Sequence, residues 1–536
     1  MKRQVLVAAF AAATLLLVSP GIAQMRPGAK VEKTYGLGLP RDMDKLIPPD
    51  SDYPVYPLKP GQEAYKDVDG YKLKETIKKI TAFSLQSLDA GEQFWGRVLG
   101  NKYHLAATEF MATEWEKLGL KVQRVDFINP VVWLPRKWEG GYITAAKSAP
   151  LLTLYPDNET VGTPAGGITA DAVWVGIGTP ADLVGRDVKG KAVIIYSFLL
   201  PGGRSQSAGV FGANAAAVKA GAAFIIDVVG VPGNGQFDPE GAPTGPTAIP
   251  TMTLSQDEGF MLRDMIASGQ KVQLHLDLTV DHLKDYKTQY ILATLPGMSD
   301  EQDFIMAHSD PMFQGAMDNA SGMATAIDIA RHYAAMPKSK RPRTMVFFVD
   351  PDHHNTEMGR DIMAKGYDWS KVAFIVNCEH TSQAQLFMMN QDLEIGNAID
   401  ARRWYVSGSP KFQQLVKGQL KDFNVSVYTT PESNAGGSLG GLTKYAPSFH
   451  IIDHIIYHST LDTPELVPAV GLAYTERAFL SIIDKANKMT LAQIRGDKPM
   501  PNPLGGPPDG TTFGSRGFGG GTGGTGGRAP GGGGGD

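Results

Sequence analysis

Two acids and an imidazole stand close together in this chain: His308, Asp310 and Asp318. The apolar run at residues 304–307 just before them reads as a buried strand. It releases His308 and Asp310 at its end. Pro311 and Gly315 then turn the chain toward Asp318, which precedes a helix beginning near Ser321. Open α/β sheets bind ligands at the carboxyl ends of their strands, which is where this arrangement puts its imidazole and carboxylates. A histidine with a carboxylate able to bridge is a donor set for a divalent transition metal.

His308-Ser309-Asp310 followed by Gly315-Ala316-Met317-Asp318-Asn319-Ala320-Ser321-Gly322 resembles the paired signature of metallopeptidase family twenty-eight. That family groups di-zinc aminopeptidases with glutamate carboxypeptidases and transferrin receptors. The resemblance implies an α/β fold of the zinc exopeptidase type: a mixed, mostly parallel sheet covered by helices on both faces.

It also implies where further ligands lie. The loop after the strand at residues 344–349 carries Asp352-His353-His354-Asn355-Thr356-Glu357-Met358-Gly359. Counted back from Gly359, His353 and His354 occupy the places where the family usually has two glutamates. Asn377-Cys378-Glu379 matches the next landmark, with Glu379 as the acidic ligand and His380 beside it as a substitute. Tyr457-His458-Ser459-Thr460-Leu461-Asp462-Thr463 matches the family's final histidine motif. By resemblance, one metal takes His308, Asp318 and Glu379, and the other takes Asp318, His354 and His458, with Asp318 as the bridge. Asp310 orients His308 by a hydrogen bond. His353 stands in for the general base, a proton-accepting task that neutral imidazole can perform. Cys378 reads as a small core residue rather than a thiolate ligand. With His354 in place of a glutamate the ligand shell is one charge more positive, so the expectation is one or two zinc ions held with unequal affinity.

The elements that must position these groups fall into blocks. Helical patterns at residues 73–83 and 105–118 open a catalytic domain expected over 71–149 and 285–497. Between them, residues 150–284 alternate strands with small-residue helices. This block resembles a protease-associated domain, a smaller α/β unit inserted into the catalytic one, expected to cover the cleft or hold part of a peptide. Residues 24–70, rich in Pro and Gly, read as an extended N-terminal arm. The Gly/Pro-rich stretch 498–536 cannot bury enough apolar surface to fold and reads as a disordered tail.

Lys2-Arg3 followed by an apolar run to Val18 and then Gly21-Ile22-Ala23 reads as a secretory signal peptide over residues 1–23. The run is short for a membrane span, so the expected location is periplasmic or extracellular. The single cysteine excludes an internal disulfide. A formal net charge of −4 gives no reason to expect nucleic acid as a partner.

The expected function is an exported metal-dependent exopeptidase, aminopeptidase-like, hydrolysing peptide or related amide bonds through metal-activated water. One alternative is a catalytically inactive binding protein on the same fold. Another is a serine hydrolase: Gly436-Gly437-Ser438-Leu439-Gly440 matches the nucleophile-elbow pattern, with Asp453 and His458 following in order. That elbow needs a strand just before it, whereas Glu432-Ser433-Asn434-Ala435 precedes it here, so the loop reads better as lining the cleft.

Overall fold

The computed structural model describes residues 47–200, 206–238, 248–389, 392–427, 437–452 and 455–496. The expected signal peptide and tail lie outside these residues. The run at 304–307 belongs to a strand, Gln302–His308, in the middle of a large mixed sheet. Its neighbours Thr344–Asp350 and Val372–Asn377 both run parallel to it, and Ser448–Ile452 lies parallel beyond the latter. Successive side chains of a strand point to opposite faces. Ile305 and Ala307 accordingly enter one core and Phe304 and Met306 another, all fully buried. A strand buried on both faces is continuously apolar, as this one is.

Helices Gly70–Asp89, Lys102–Lys117, Gly322–Ala334 and Ala469–Ala486 supply the first core. Met358–Gly366 covers the opposite face through Met363 and Ala364. The fold is thus the expected mixed sheet with helices on both faces. Asn101 caps the second helix by accepting hydrogen bonds from the Tyr103 and His104 amides, and Gly119 closes it at φ +80°.

Residues 150–284 build four consecutive parallel strands, Ile168–Trp174, Ala192–Ser197, Phe224–Val229 and Thr251–Leu254. They join the rest of the sheet where Ile168–Trp174 pairs with Gln273–Leu295. That strand and Lys121–Ile143 form one antiparallel ribbon, 23 residues on each side, which continues past residue 284 and shifts register between Pro135 and Lys137. Its two strands differ in the middle: residues 279–287 are exposed or half-buried, whereas Val132, Trp133 and Leu134 are buried.

The described part of the N-terminal arm lies along Ala469–Ala486. Asp50 accepts from the Ala469 amide at 2.8 Å, and Tyr474 Oη bridges the Tyr56 amide and the Pro54 carbonyl. Among the described residues no helix is long and apolar enough to cross a membrane.

Candidate metal centre

Parallel register brings three strand ends to one level: Asp350 lies opposite His308, and Asn377 lies opposite Met306. The loops that leave these ends carry His308 and Asp310, then His353 and His354, then Glu379 and His380.

Each loop is fixed by buried polar contacts. Arg97, fully buried, donates to the carbonyls of Ser309, Gln314 and Gly315 and to Ser84 Oγ, which pins the segment between His308 and Asp318. Gly315 sits at φ +57°, and a Cβ there would collide with the Pro311 ring. Asp462 accepts from the Met317 amide at 2.6 Å and the Asp318 amide at 2.9 Å, setting where the Asp318 carboxylate points. Burial pushes the Asp462 carboxyl up to about 7.

The octapeptide is glued to the next loop. Asn319 Nδ2 donates to the Cys378 carbonyl, Ser321 Oγ accepts from the Thr381 amide, and Gly322 packs so tightly on the Cys378 carbonyl that no Cβ fits. Cys378 is a buried core residue whose thiol is pushed up by burial and by Glu476. Asp352 accepts from Thr356 Oγ1 and from the amides of Met358 and Gly359, so it folds the 353–357 loop back on itself.

The centre that results is organised on one carboxylate. His308 Nε2 lies 3.0 Å and His380 Nε2 3.2 Å from Asp318 Oδ1. His458 Nε2 lies 3.1 Å and His354 Nε2 3.4 Å from Asp318 Oδ2. Glu379 Oε1 is 3.7 Å from His308 Nε2 and 3.8 Å from His380 Nε2, while its other oxygen accepts from Asn377 Nδ2. Asp310 Oδ1 faces His308 Nδ1 at 3.3 Å, and its Oδ2 accepts from the His354 amide. His458 Nδ1 faces the Asp238 carbonyl at 3.2 Å, and the Asp238 amide donates to the His458 carbonyl. The 150–284 block therefore reaches the centre through its main chain.

Burial pushes the Asp318 carboxyl up, but the His354 and His308 imidazoles outweigh it and hold Asp318 well below the usual carboxylate range. Burial also raises Glu379, and the contacts with His308 and His380 more than reverse that. Both acids are thus ready-ionised donors. Burial lowers His308, yet Asp318 and Asp310 carry it well above an ordinary imidazole. Burial and the His354 charge lower His353, whose Nδ1 faces Glu357 Oε1 rather than Asp318.

Neither oxygen of Asp318, nor His308 Nε2, nor His354 Nε2 has a hydrogen-bond partner, although all are buried. Such groups are stable in a protein interior when they share a cation. Two donors on one tetrahedral zinc with bonds of about 2.0–2.1 Å stand about 3.3–3.4 Å apart, and the contacts on Asp318 bracket that value. Three donor sets gather within 4.8 Å: His308, Asp318 and Glu379; Asp318, His354 and His458; and His308, His353 and His354. The nitrogen and carboxylate donors fit zinc.

All seven residues expected from the sequence come together: His308, Asp310, Asp318, His353, His354, Glu379 and His458. His380, expected only as a substitute for Glu379, stands beside it on Asp318 Oδ1. Arg97, Asp352, Asp462 and the Asp238 main chain were not foreseen. Asp462 lay inside the quoted final motif and Asp352 just ahead of the His pair, whereas nothing local marks Arg97. Ser438 begins within the 3-10 helix Gly437–Lys444, and the Gly436 and Asp453 of the serine-hydrolase reading lie outside the described residues.

Three solved structures share this architecture. BSAP, a zinc aminopeptidase from Bacillus subtilis, aligns with a TM-score of 0.56 at 17% identity, covering 80% of this chain and 98% of its own. A peptidase M28 precursor from Shewanella amazonensis SB2B gives 0.58 at 16% identity, covering 83% and 100%. An aminopeptidase from Aneurinibacillus sp. strain AM-1 gives 0.50 at 17% identity, covering 82% and 98%. At these identities the likeness is one of fold. No curated protein sequence matches the chain. The model of peptidase family M28 matches residues 290–434, the stretch that carries every expected ligand except His458.

Proposed function

We propose that the chain is a metal-dependent exopeptidase of the aminopeptidase type, hydrolysing peptide or related amide bonds. The observation that carries this reading is the single buried carboxylate of Asp318 with two imidazole Nε2 atoms at each oxygen. His308 and Glu379, with His380 beside them, would hold one zinc at Oδ1, and His354 and His458 the other at Oδ2. Asp310, facing Nδ1, keeps the His308 ring turned so that Nε2 points at Asp318 Oδ1. Bound zinc supplies a Lewis acid that polarises the scissile carbonyl and acidifies water.

The chain's own residues do the rest. His353, pushed toward the neutral form by burial, accepts the proton of the attacking water and returns it to the departing nitrogen. Phe94, Trp133, Asn158 and Asp238 line a cavity beside Asp310 and His354. The basic and apolar stretch at residues 2–23 supports export to the periplasm or beyond.

The test is a screen of aminoacyl and acyl-amino-acid amides with zinc-restored and chelator-treated protein, alongside metal content by mass spectrometry. Zinc-dependent release of the N-terminal residue is the expected result. Protein that retains zinc and cleaves none of these amides would instead be a binding protein on a peptidase fold.

A further inference from the structure

His353 is a base with an unusual support. Its ring is buried between His308 and His354, with centroids 4.6 Å from each, and neither ring nitrogen makes a hydrogen bond. The carboxylate facing Nδ1 is that of Glu357, four residues further on, with Oε1 at 3.5 Å.

Glu357 is held from behind. Arg360, buried at 3% exposure, donates from Nη2 to Oε2 at 2.5 Å and from Nη1 to Oε1 at 3.2 Å. The Glu357 backbone is in the left-handed region at φ +53°, which residues other than glycine rarely adopt. Its amide donates to the Asp352 carbonyl and its carbonyl accepts from the Asp361 amide. The loop is thus folded so that this one side chain turns back toward His353. In a neutral imidazole, the partner of one nitrogen decides which nitrogen keeps the proton. A carboxylate at Nδ1 keeps the proton there and leaves Nε2 as the acceptor.

We propose that Glu357, fixed by Arg360, is a positioning residue that holds the Nδ1 proton of His353 and so presents Nε2 to the attacking water. This rests on the reading of His353 as the base. The water proton passes to Nε2, the Nδ1 proton stays directed at Glu357 throughout, and the Nε2 proton leaves with the departing nitrogen. The imidazole ends as it began.

The test combines Glu357→Leu, Glu357→Gln, Glu357→Asp and His353→Asn in the zinc-loaded protein. Nitrogen NMR of histidine-labelled protein reads the His353 tautomer, with H353N assigning its signals. The wild type is expected to show a protonated Nδ1 and a bare Nε2, and E357L to lose that preference. E357L should lower kcat about 10–100-fold, the usual cost of removing an orienting partner, with KM and zinc content unchanged. E357D should recover part of the rate, and E357Q, closest in shape, separates loss of charge from loss of packing. E357L should cost nothing further in the H353N background. Unaltered His353 signals in E357L, or an equal loss of rate in that background, would overturn the proposal. Wild-type turnover by H353N would instead remove the base reading, while the tautomer signals still decide the Glu357 contact.

Discussion

Glu476 lies on the Ala469–Ala486 helix behind the metal centre, fully buried, with neither carboxylate oxygen in a hydrogen bond. Burial raises its carboxyl to about 8, with Arg331 and Arg477 only partly opposing. An unfolded glutamate titrates near 4.3. The folded chain therefore holds a proton that the unfolded chain has released, and stability falls as pH rises between those two values. The penalty is about 2.3 kcal/mol at pH 6 and about 4.6 kcal/mol at pH 8, taking 1.36 kcal/mol per unit of separation. Glu476→Gln keeps the shape of the protonated side chain and removes the titration. Its amide brings one more N–H to satisfy, at about 1 kcal/mol, the same at every pH. The stability of E476Q relative to wild type should thus rise by about 2 kcal/mol from pH 6 to pH 8. Urea unfolding of both zinc-loaded proteins, followed by tryptophan fluorescence, measures that change, and titration of the metal ligands is common to both and cancels. A difference that stays flat across the range would mean that Glu476 is solvated or paired, and that the buried-acid argument is wrong.

Other substitutions probe the centre directly. Asp318→Asn removes one of the two charges that hold the ions and should leave less than one zinc per chain by mass spectrometry with the far-ultraviolet dichroism unchanged. Arg97→Met strips the Ser309 carbonyl of its partner and three further contacts from a buried cation, so unfolding should become easier by about 3–5 kcal/mol. A loss below about 1 kcal/mol on denaturant titration would show that the segment 309–315 holds itself. Gly322→Ala puts a methyl group into the Cys378 carbonyl and should cost at least about 2 kcal/mol on the same titration.

Local physics explains how much the residues reveal on their own. A strand buried on both faces must be a short apolar run, so 304–307, 344–349 and 372–376 announce themselves, and the chemistry at their ends can be named: His308, Asp310, the His353–His354 pair and Glu379. Asn before a helix and Gly after it mark Lys102–Lys117 for the same reason. What depends on partners distant in the chain cannot be seen this way. Arg97 meets Ser309 across 212 positions, and His458 meets the Asp238 carbonyl across 220. A buried guanidinium has no periodicity, and a main-chain carbonyl has no residue type. The ribbon of Lys121–Ile143 with Gln273–Leu295 is made by hydrogen bonds between two segments far apart in the chain, a pairing that neither segment specifies alone. His380 and Glu357 are ordinary residues in the sequence. Only the folding of the 353–357 loop and the placing of Thr381 against Ser321 turn one toward His353 and the other toward Asp318. Residue order therefore determined which chemical groups this protein has at its strand ends. Tertiary packing alone decided that four imidazoles meet on one carboxylate, because that convergence is a property of register between strands and of no strand by itself.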